Sequence, residues 1–229
     1  MMGDPTLEIT TDIVLIDIVG YSLLSDEEQL LAVDVVNTYL SQQILFLSEL
    51  MNLRKEEVII GFIPTGDGMY ILLNPQVCGY GIMLGPSIRN YLLWISSVEL
   101  NSLYKGVRAG IHMGKVLTFN DVNGCRNYVG GGLNDCARLL SITDEAATAF
   151  GGDTNYVVAS ESACFWFSKL YKGDEAERFL STMKFKMSDQ IQITDKHKKI
   201  HSAYLIDLSR CVQIQPPNFI RPRKRRHDT

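Results

Sequence analysis

The chain has 229 residues, 46% of them hydrophobic and 21% charged, with a formal net charge of −4. Such a chain suits one globular domain with short appendages and is too short for two independent domains with full cores. The small acidic excess excludes a general attraction for nucleic acid or anionic membrane, so any use of phosphate chemistry must rest on local features.

From the N-terminus, Met1 to Thr10 carries Asp4, Pro5 and Glu8 and has neither the basic start nor the apolar run of a signal peptide, which predicts a cytoplasmic protein. Asp12 to Val19 is a short apolar run, as expected for a strand buried on both faces, and Asp17 stands out within it. Gly20-Tyr21-Ser22 turns the chain. Ser25 followed by Glu28 makes a capping-box start for a helix. Leu30, Val33, Asn37, Leu40, Ile44, Leu47 and Met51 continue that helix at helical spacing. Glu57 to Pro64 and Met69 to Leu73 are β-rich runs separated by Thr65-Gly66-Asp67-Gly68, a hairpin whose turn presents Asp67.

Met69 to Ile88 has no charge, but Asn74, Pro75, Gln76, Gly79, Gly81, Gly85 and Pro86 make it a poor membrane span, so a strand, turn and helix are expected there. A second helix is predicted from Pro86, near its first turn, to Leu103. Val107 to Thr118 reads as a strand carrying Arg108 and His112, the latter as a structural core residue, and Gly130-Gly131-Gly132 opens a helix to about Leu140. Gly151-Gly152-Asp153 reads as a loop. Asn155 to Ala159 is a short strand, Glu161 to Leu170 a helix, and Ser181 to Met187 with Ser202 to Leu208 a closing strand pair. Arg221, Arg223, Lys224, Arg225 and Arg226 make a basic tail, read as solvated, with nucleic acid or anionic lipid as the sharper alternative. The five cysteines, Cys78, Cys125, Cys136, Cys164 and Cys211, form no CxxC pair or zinc-spaced cluster and are read as reduced. Strands and helices mix without a strict βαβ repeat, which predicts an α+β sandwich, a mostly antiparallel sheet with helices packed on it.

Two constellations carry chemistry. Asp17 at a strand end and Asp67 in a hairpin turn could together hold hard divalent cations, with substrate phosphates completing the shell. Between them the backbone of Gly20-Tyr21-Ser22, leading into the helix N-terminus, could hold a triphosphate; no GxxxxGK[ST] motif is present. Asn134 and Arg138 lie one helical turn apart, Asn suited to orienting a ribose and Arg to neutralising charge on an α-phosphate.

The segments IVLIDIVGYS (13–22), FIPTGDGMYI (62–71), GVRAGIHMGKV (106–116) and GGGLNDCARLL (130–140) resemble, in this order, the catalytic domain of class III nucleotidyl cyclases, over about Thr11 to Leu208. The resemblance implies a ferredoxin-like core and a catalytic domain at 11–208, between an N-terminal extension (1–10) and a basic tail (209–229). It implies a homodimer with shared sites: Asp17, Asp67 and the Ile18 carbonyl of one protomer hold two Mg²⁺ or Mn²⁺ ions, and Asn134 and Arg138 come from the other. The substrate is then a nucleoside triphosphate, cyclised to a 3′,5′-monophosphate with loss of pyrophosphate. One of Lys184, Lys186, Lys196, Lys198 or Lys199 is expected to meet the triphosphate.

The chain departs from the family at the base selectors. Adenylate cyclases of this class place a Lys four residues before the second metal Asp and an Asp seven before the Asn; here these are Ile63 and Asn127. Guanylate cyclases place Glu and a small residue there, and the chain does not match that either. Ile63 has no polar atom for a purine edge, whereas Asn127 can offer a donor and an acceptor to a pyrimidine. The pattern resembles bacterial pyrimidine cyclases of the Pycsar antiphage system, which implies UTP, or CTP, as substrate and an antiphage signal as product. Two alternatives stand beside it. One is an adenylate cyclase in which Phe62 or Tyr70 reads adenine; the other is a degenerate cyclase-like domain that binds a nucleotide and regulates a partner.

Overall fold

The computed structural model describes residues 6–98, 106–142, 146–147, 155–195 and 197–208. Met1 to Pro5, Gly151-Gly152-Asp153, Lys196, Cys211 and the basic tail lie outside the described residues. Among those described, strands β1 (Glu8–Ile18), β2 (Ile59–Pro64), β3 (Gly68–Leu73), β4 (Val107–Asn120), β5 (Arg126–Val129), β6 (Val157–Ser160), β7 (Phe185–Met187), β8 (Ile191–Thr194) and β9 (Ile200–Leu208) form one sheet. Its order is β2-β3-β1-β4-β6-β9-β7, with β5 on β4 and β8 on β9. Among the described strands only the β4–β6 pair is parallel, so the sheet is mostly antiparallel as predicted.

The helices are α1 (Asp26–Met51), α2 (Lys55–Val58), α3 (Gly81–Val98), α4 (Gly131–Leu139), α5 (Glu161–Leu170) and α6 (Asp174–Thr182). The predicted capping box starts α1: the Glu28 amide donates to Ser25 Oγ at 3.3 Å and the Ser25 amide to Glu28 Oε2 at 2.7 Å. By length and apolar composition α1 could cross a membrane, but Ala32, Val36, Leu40 and Leu47 along it are packed into the core.

The two faces of the sheet are covered unequally. Val14, Ile16 and Ile18 of β1 and Val107, Ala109, Ile111 and Met113 of β4 pack under α1, α3 and α5 in the main core. On the other face Ile13, Leu15, Leu72 and Val116 meet Cys136 of α4 and Tyr128 of β5, a much thinner layer. Burying each such aliphatic side chain contributes roughly 1.5–3 kcal/mol, so most of the stability resides in the first face.

Several boundaries differ from the sequence reading. Glu57 and Val58 belong to the short helix α2, where Glu57 caps the Arg54 amide at 2.9 Å, and the strand starts only at Ile59. Helix α3 begins at Gly81, five residues before Pro86, because the Asp12 carboxylate accepts from the Gly79 and Gly81 amides at 2.7 and 2.9 Å and so supplies its N-terminal cap. The predicted continuation through 99–103 lies outside the described residues. Ser181 and Thr182 lie in α6 rather than a strand, since Asp174 to Thr182 forms an amphipathic helix with an acidic first turn. Strands β5 and β8 are additional. Cys78, Cys125, Cys136 and Cys164 are free thiols.

Candidate active site

Asp17 and Asp67 are brought together by strand register. Asp17 pairs with Gly68 across β1–β3 and with Arg108 across β1–β4. The Ile18 amide donates to the Asp67 carbonyl at 2.9 Å, which pins the β2–β3 turn against the end of β1. Both glycines of the turn are required. Gly66 has φ +99°, and a Cβ on Gly68 would stand 1.9 Å from the Ile16 carbonyl oxygen.

Asp17 is 9% exposed, and burial pushes its carboxyl above the usual range; the Arg108 guanidinium opposes that shift and the neighbouring Asp67 carboxylate adds to it. Arg108 Nε donates to Asp17 Oδ2 at 2.6 Å, and its Nη2 makes a second contact with the same oxygen. Two hard oxygen donors that repel one another, with a single cationic partner, form a site that a divalent cation would relieve, so the residues fit such an ion. Among the described residues no cluster of three or more His, Cys, Asp and Glu side chains could hold a metal. Asp17, Asp67 and the Ile18 carbonyl would therefore need phosphate oxygens to complete a shell. Arg108 was noted in the sequence only as a strand residue; its role follows from register, and no local signal marks it.

Gly20 turns the chain with φ 76° into the 3₁₀ turn Tyr21–Leu23, and the Val19 amide is taken by the Gly106 carbonyl at 2.9 Å. The N-terminus of α1 itself is closed by its capping box and carries Asp26, Glu27 and Glu28. An anion near Asp17 would thus meet the first amides of the 3₁₀ turn, Gly20 to Ser22, rather than α1.

Asn134 and Arg138 lie on α4, which is anchored to the sheet by Cys136, whose Sγ donates to the Ile13 and Gly110 carbonyls at 3.5 and 3.4 Å. Asn134 is exposed. Arg138 Nη1 binds Asp135 Oδ1 at 2.7 Å, and Arg138 Nε lies 3.1 Å from Asp195 Oδ2. No hydrogen bond or ion pair among the described residues joins Asn134 or Arg138 to Asp17 or Asp67. The two constellations remain separate within one chain.

Ile63 sits on the α4 face, opposite Tyr70 in register, in the apolar cluster that includes Tyr128. Tyr128 lies over Gly61, where an added Cβ would be 2.6 Å from its ring, and its hydroxyl donates to the Ile60 carbonyl. Asn127, one residue earlier, accepts from the Tyr128 amide through Oδ1 at 2.8 Å, leaving its amide nitrogen to offer. Ile63 thus lies on the Tyr128 face of the sheet, whereas Asn127, paired with Phe119 and alternating with Tyr128, is directed to the other face. Phe62 points to the opposite face, beside α1, because its register partner Ile71 belongs to the main core.

Of the candidate lysines, Lys184 precedes and Lys186 lies in the edge strand β7, whereas Lys199 is 3.4 Å from Asp135, beside Arg138. His112 lines a cavity of about 310 Å³ with Asp135, Glu161 and His201, and burial lowers its pKa, which keeps the imidazole neutral.

The fold is that of class III adenylyl and guanylyl cyclase catalytic domains. The adenylyl cyclase CyaB from P. aeruginosa superposes with a TM-score of 0.55 at 14% identity, over 90% of this chain and 98% of that one. The guanylate cyclase domain of RhGC from Catenaria anguillulae, in complex with GTP, gives 0.53 at 12% identity over 90% and 99%. A bacterial light-regulated adenylyl cyclase gives 0.56 at 17% identity over 91% and 56%. No protein-family model and no curated protein matches the chain.

Proposed function

We propose that the chain is a cytoplasmic nucleotidyl cyclase whose catalytic domain spans 11–208, followed by a basic tail, and that it converts UTP, with CTP next, into the cyclic 3′,5′-monophosphate and pyrophosphate. The observation that carries the activity is the pairing of Asp17 with Asp67 at the end of β1, next to Arg108, within this fold. The antiphage signalling role is the part that rests on the sequence resemblance.

Bound Mg²⁺ or Mn²⁺ ions would acidify the ribose 3′-hydroxyl and neutralise the triphosphate. Asp17 and Asp67 supply the carboxylates and Ile18 its carbonyl; the backbone of Gly20, Tyr21 and Ser22 lies alongside for the phosphates. Arg108, held against Asp17 in the structure, would be available to the same phosphates if a cation took that carboxylate. The ribose 3′-oxygen bonds to the α-phosphorus as the bond to pyrophosphate breaks, while Arg138 offsets the charge that builds there and Asn134 orients the ribose.

A homodimer with shared sites accounts for the separation of Asn134 and Arg138 from the carboxylates. It is supported by the exposed apolar side chains of Leu117, Phe119 and Val129, which share one face of the β4–β5 arm, opposite Tyr128, and leave that arm in need of a partner. For the base, Ile63 gives an apolar wall and Asn127 a donor. A donor matches the 4-carbonyl of uracil and not the 4-amino group of cytosine, which favours UTP. The presence of both aspartates with Asn134 and Arg138 argues against a degenerate binding domain.

Incubating purified protein with Mn²⁺ and ATP, GTP, CTP or UTP separately, with products identified by mass spectrometry, tests the proposal. Cyclic UMP as the main product is expected; cyclic AMP would leave the carboxylate site standing and overturn the base reading, and no cyclic product would overturn the activity. Mixing Asp17→Ala with Arg138→Ala protein should restore activity through one intact site per heterodimer. No recovery would count against shared sites.

A further inference from the structure

Arg138 is gripped from two sides. Its Nη1 is bound to Asp135 Oδ1 at 2.7 Å and its Nε lies 3.1 Å from Asp195 Oδ2, while no partner for Nη2 occurs among the described residues. Asp135 is one turn back on the same helix. Asp195 comes from the β8–β9 turn, where its Oδ1 accepts from the His197 and Lys199 amides at 2.8 and 2.9 Å. Its Oδ2 also faces His201 Nε2 at 3.1 Å. Four partners therefore hold this carboxylate, whose side chain is 1% exposed, and its position is set by the turn rather than by Arg138. Burial raises its pKa, but the His201 bond, the two backbone bonds and the Arg138 charge outweigh that and bring it down to about 2, so it is ionised at any working pH.

We propose that Asp195 and Asp135 are positioning residues that fork the Arg138 guanidinium and aim its free edge outward at the substrate; this rests on the cyclase reading above. A free arginine side chain samples many rotamers, and a group that must meet charge developing on an α-phosphate works best when its orientation is fixed beforehand. Two carboxylates on different elements fix the guanidinium plane as well as its location. The same Asp195 turn carries Lys199, whose Nζ is 3.4 Å from Asp135, so one buried carboxylate sets both cations relative to α4. Neither Asp135 nor Asp195 touches substrate in this scheme.

The test is steady-state cyclase kinetics on Asp195→Asn, Asp135→Asn and each combined with Arg138→Ala. Positioning predicts that Asp195→Asn lowers kcat by about 10- to 100-fold with KM within about twofold, and that neither Asn substitution lowers kcat further once Arg138 is gone. Asp135→Asn, on a partly exposed helix surface, should show the same signature more weakly and carries the test should Asp195→Asn melt the turn. Unchanged or raised kcat, or losses that add to that of Arg138→Ala, would overturn the proposal while an active wild type leaves the cyclase reading intact. A wild type that cyclises no triphosphate overturns both.

Discussion

Two aspartates, five residues apart on β1, are both buried, yet they lie on opposite faces and do different things. Asp12 is 1% exposed and faces the main core, where its Oδ2 accepts from the Gly79 and Gly81 amides and its Oδ1 has no partner among the described residues. No cation meets it. Asp17 faces the thinly covered side, with Arg108 bound and Asp67 beside it. Burial raises the pKa of both, so a perturbed carboxyl alone does not mark a catalytic site. What separates them is the company: backbone amides for one, and charged groups at an exposed hairpin turn for the other.

Exchanging each for alanine should split the two roles, with the largest effect on activity. Asp17→Ala should cost at least about 1000-fold in cyclase turnover, with a melting temperature close to wild type because Arg108 keeps access to water. Asp12→Ala should do the reverse, lowering stability by about 2–3 kcal/mol through two orphaned helix amides, with activity per folded molecule unchanged. Denaturant melts and initial rates on both variants measure this; a stable Asp12→Ala protein would break the comparison.

The pH dependence sharpens it. Burial lifts the Asp12 carboxyl to about 6, so the folded state binds its proton more tightly than the unfolded chain. Its contribution is therefore fully present below the unfolded value, near 4, and is lost as pH rises through about 6, on the order of 3 kcal/mol. The stability difference between wild type and Asp12→Asn should change across that window and be flat above it. A difference independent of pH would show that Asp12 is not protonated in the fold.

The smallest effect concerns whether the functional face contributes to stability at all. Tyr128→Phe removes the hydroxyl bond to the Ile60 carbonyl and keeps the ring over Gly61. It should lower stability by about 1 kcal/mol. If Tyr128 supports the Ile63 wall proposed for the base, the UTP to CTP ratio should shift with little change in overall turnover.

The helix at Asp26, the hairpin around Asp67 and the α4 helix were legible because their signals are local: a capping box, a Gly-Asp-Gly turn, a glycine-led helix start. The boundary errors arose where distant groups decide. Asp12 starts α3 earlier than Pro86 suggested; Ser181 and Thr182, which read as strand, instead complete α6, whose acidic first turn favours a helix.

The sequence by itself determined the order of the motifs, the presence of Asp17 and Asp67 at a strand end and a hairpin turn, and the residues at positions 63 and 127, since each depends on residue identity within a few positions. Only the tertiary structure decided that Arg108 meets Asp17 from 91 residues away, that Asp195 holds Arg138, and that Tyr128 packs over Gly61 in the cluster that includes Ile63. Those contacts depend on strand register and on which sheet face stays open, and register is the joint outcome of many weak packing choices that no short segment encodes.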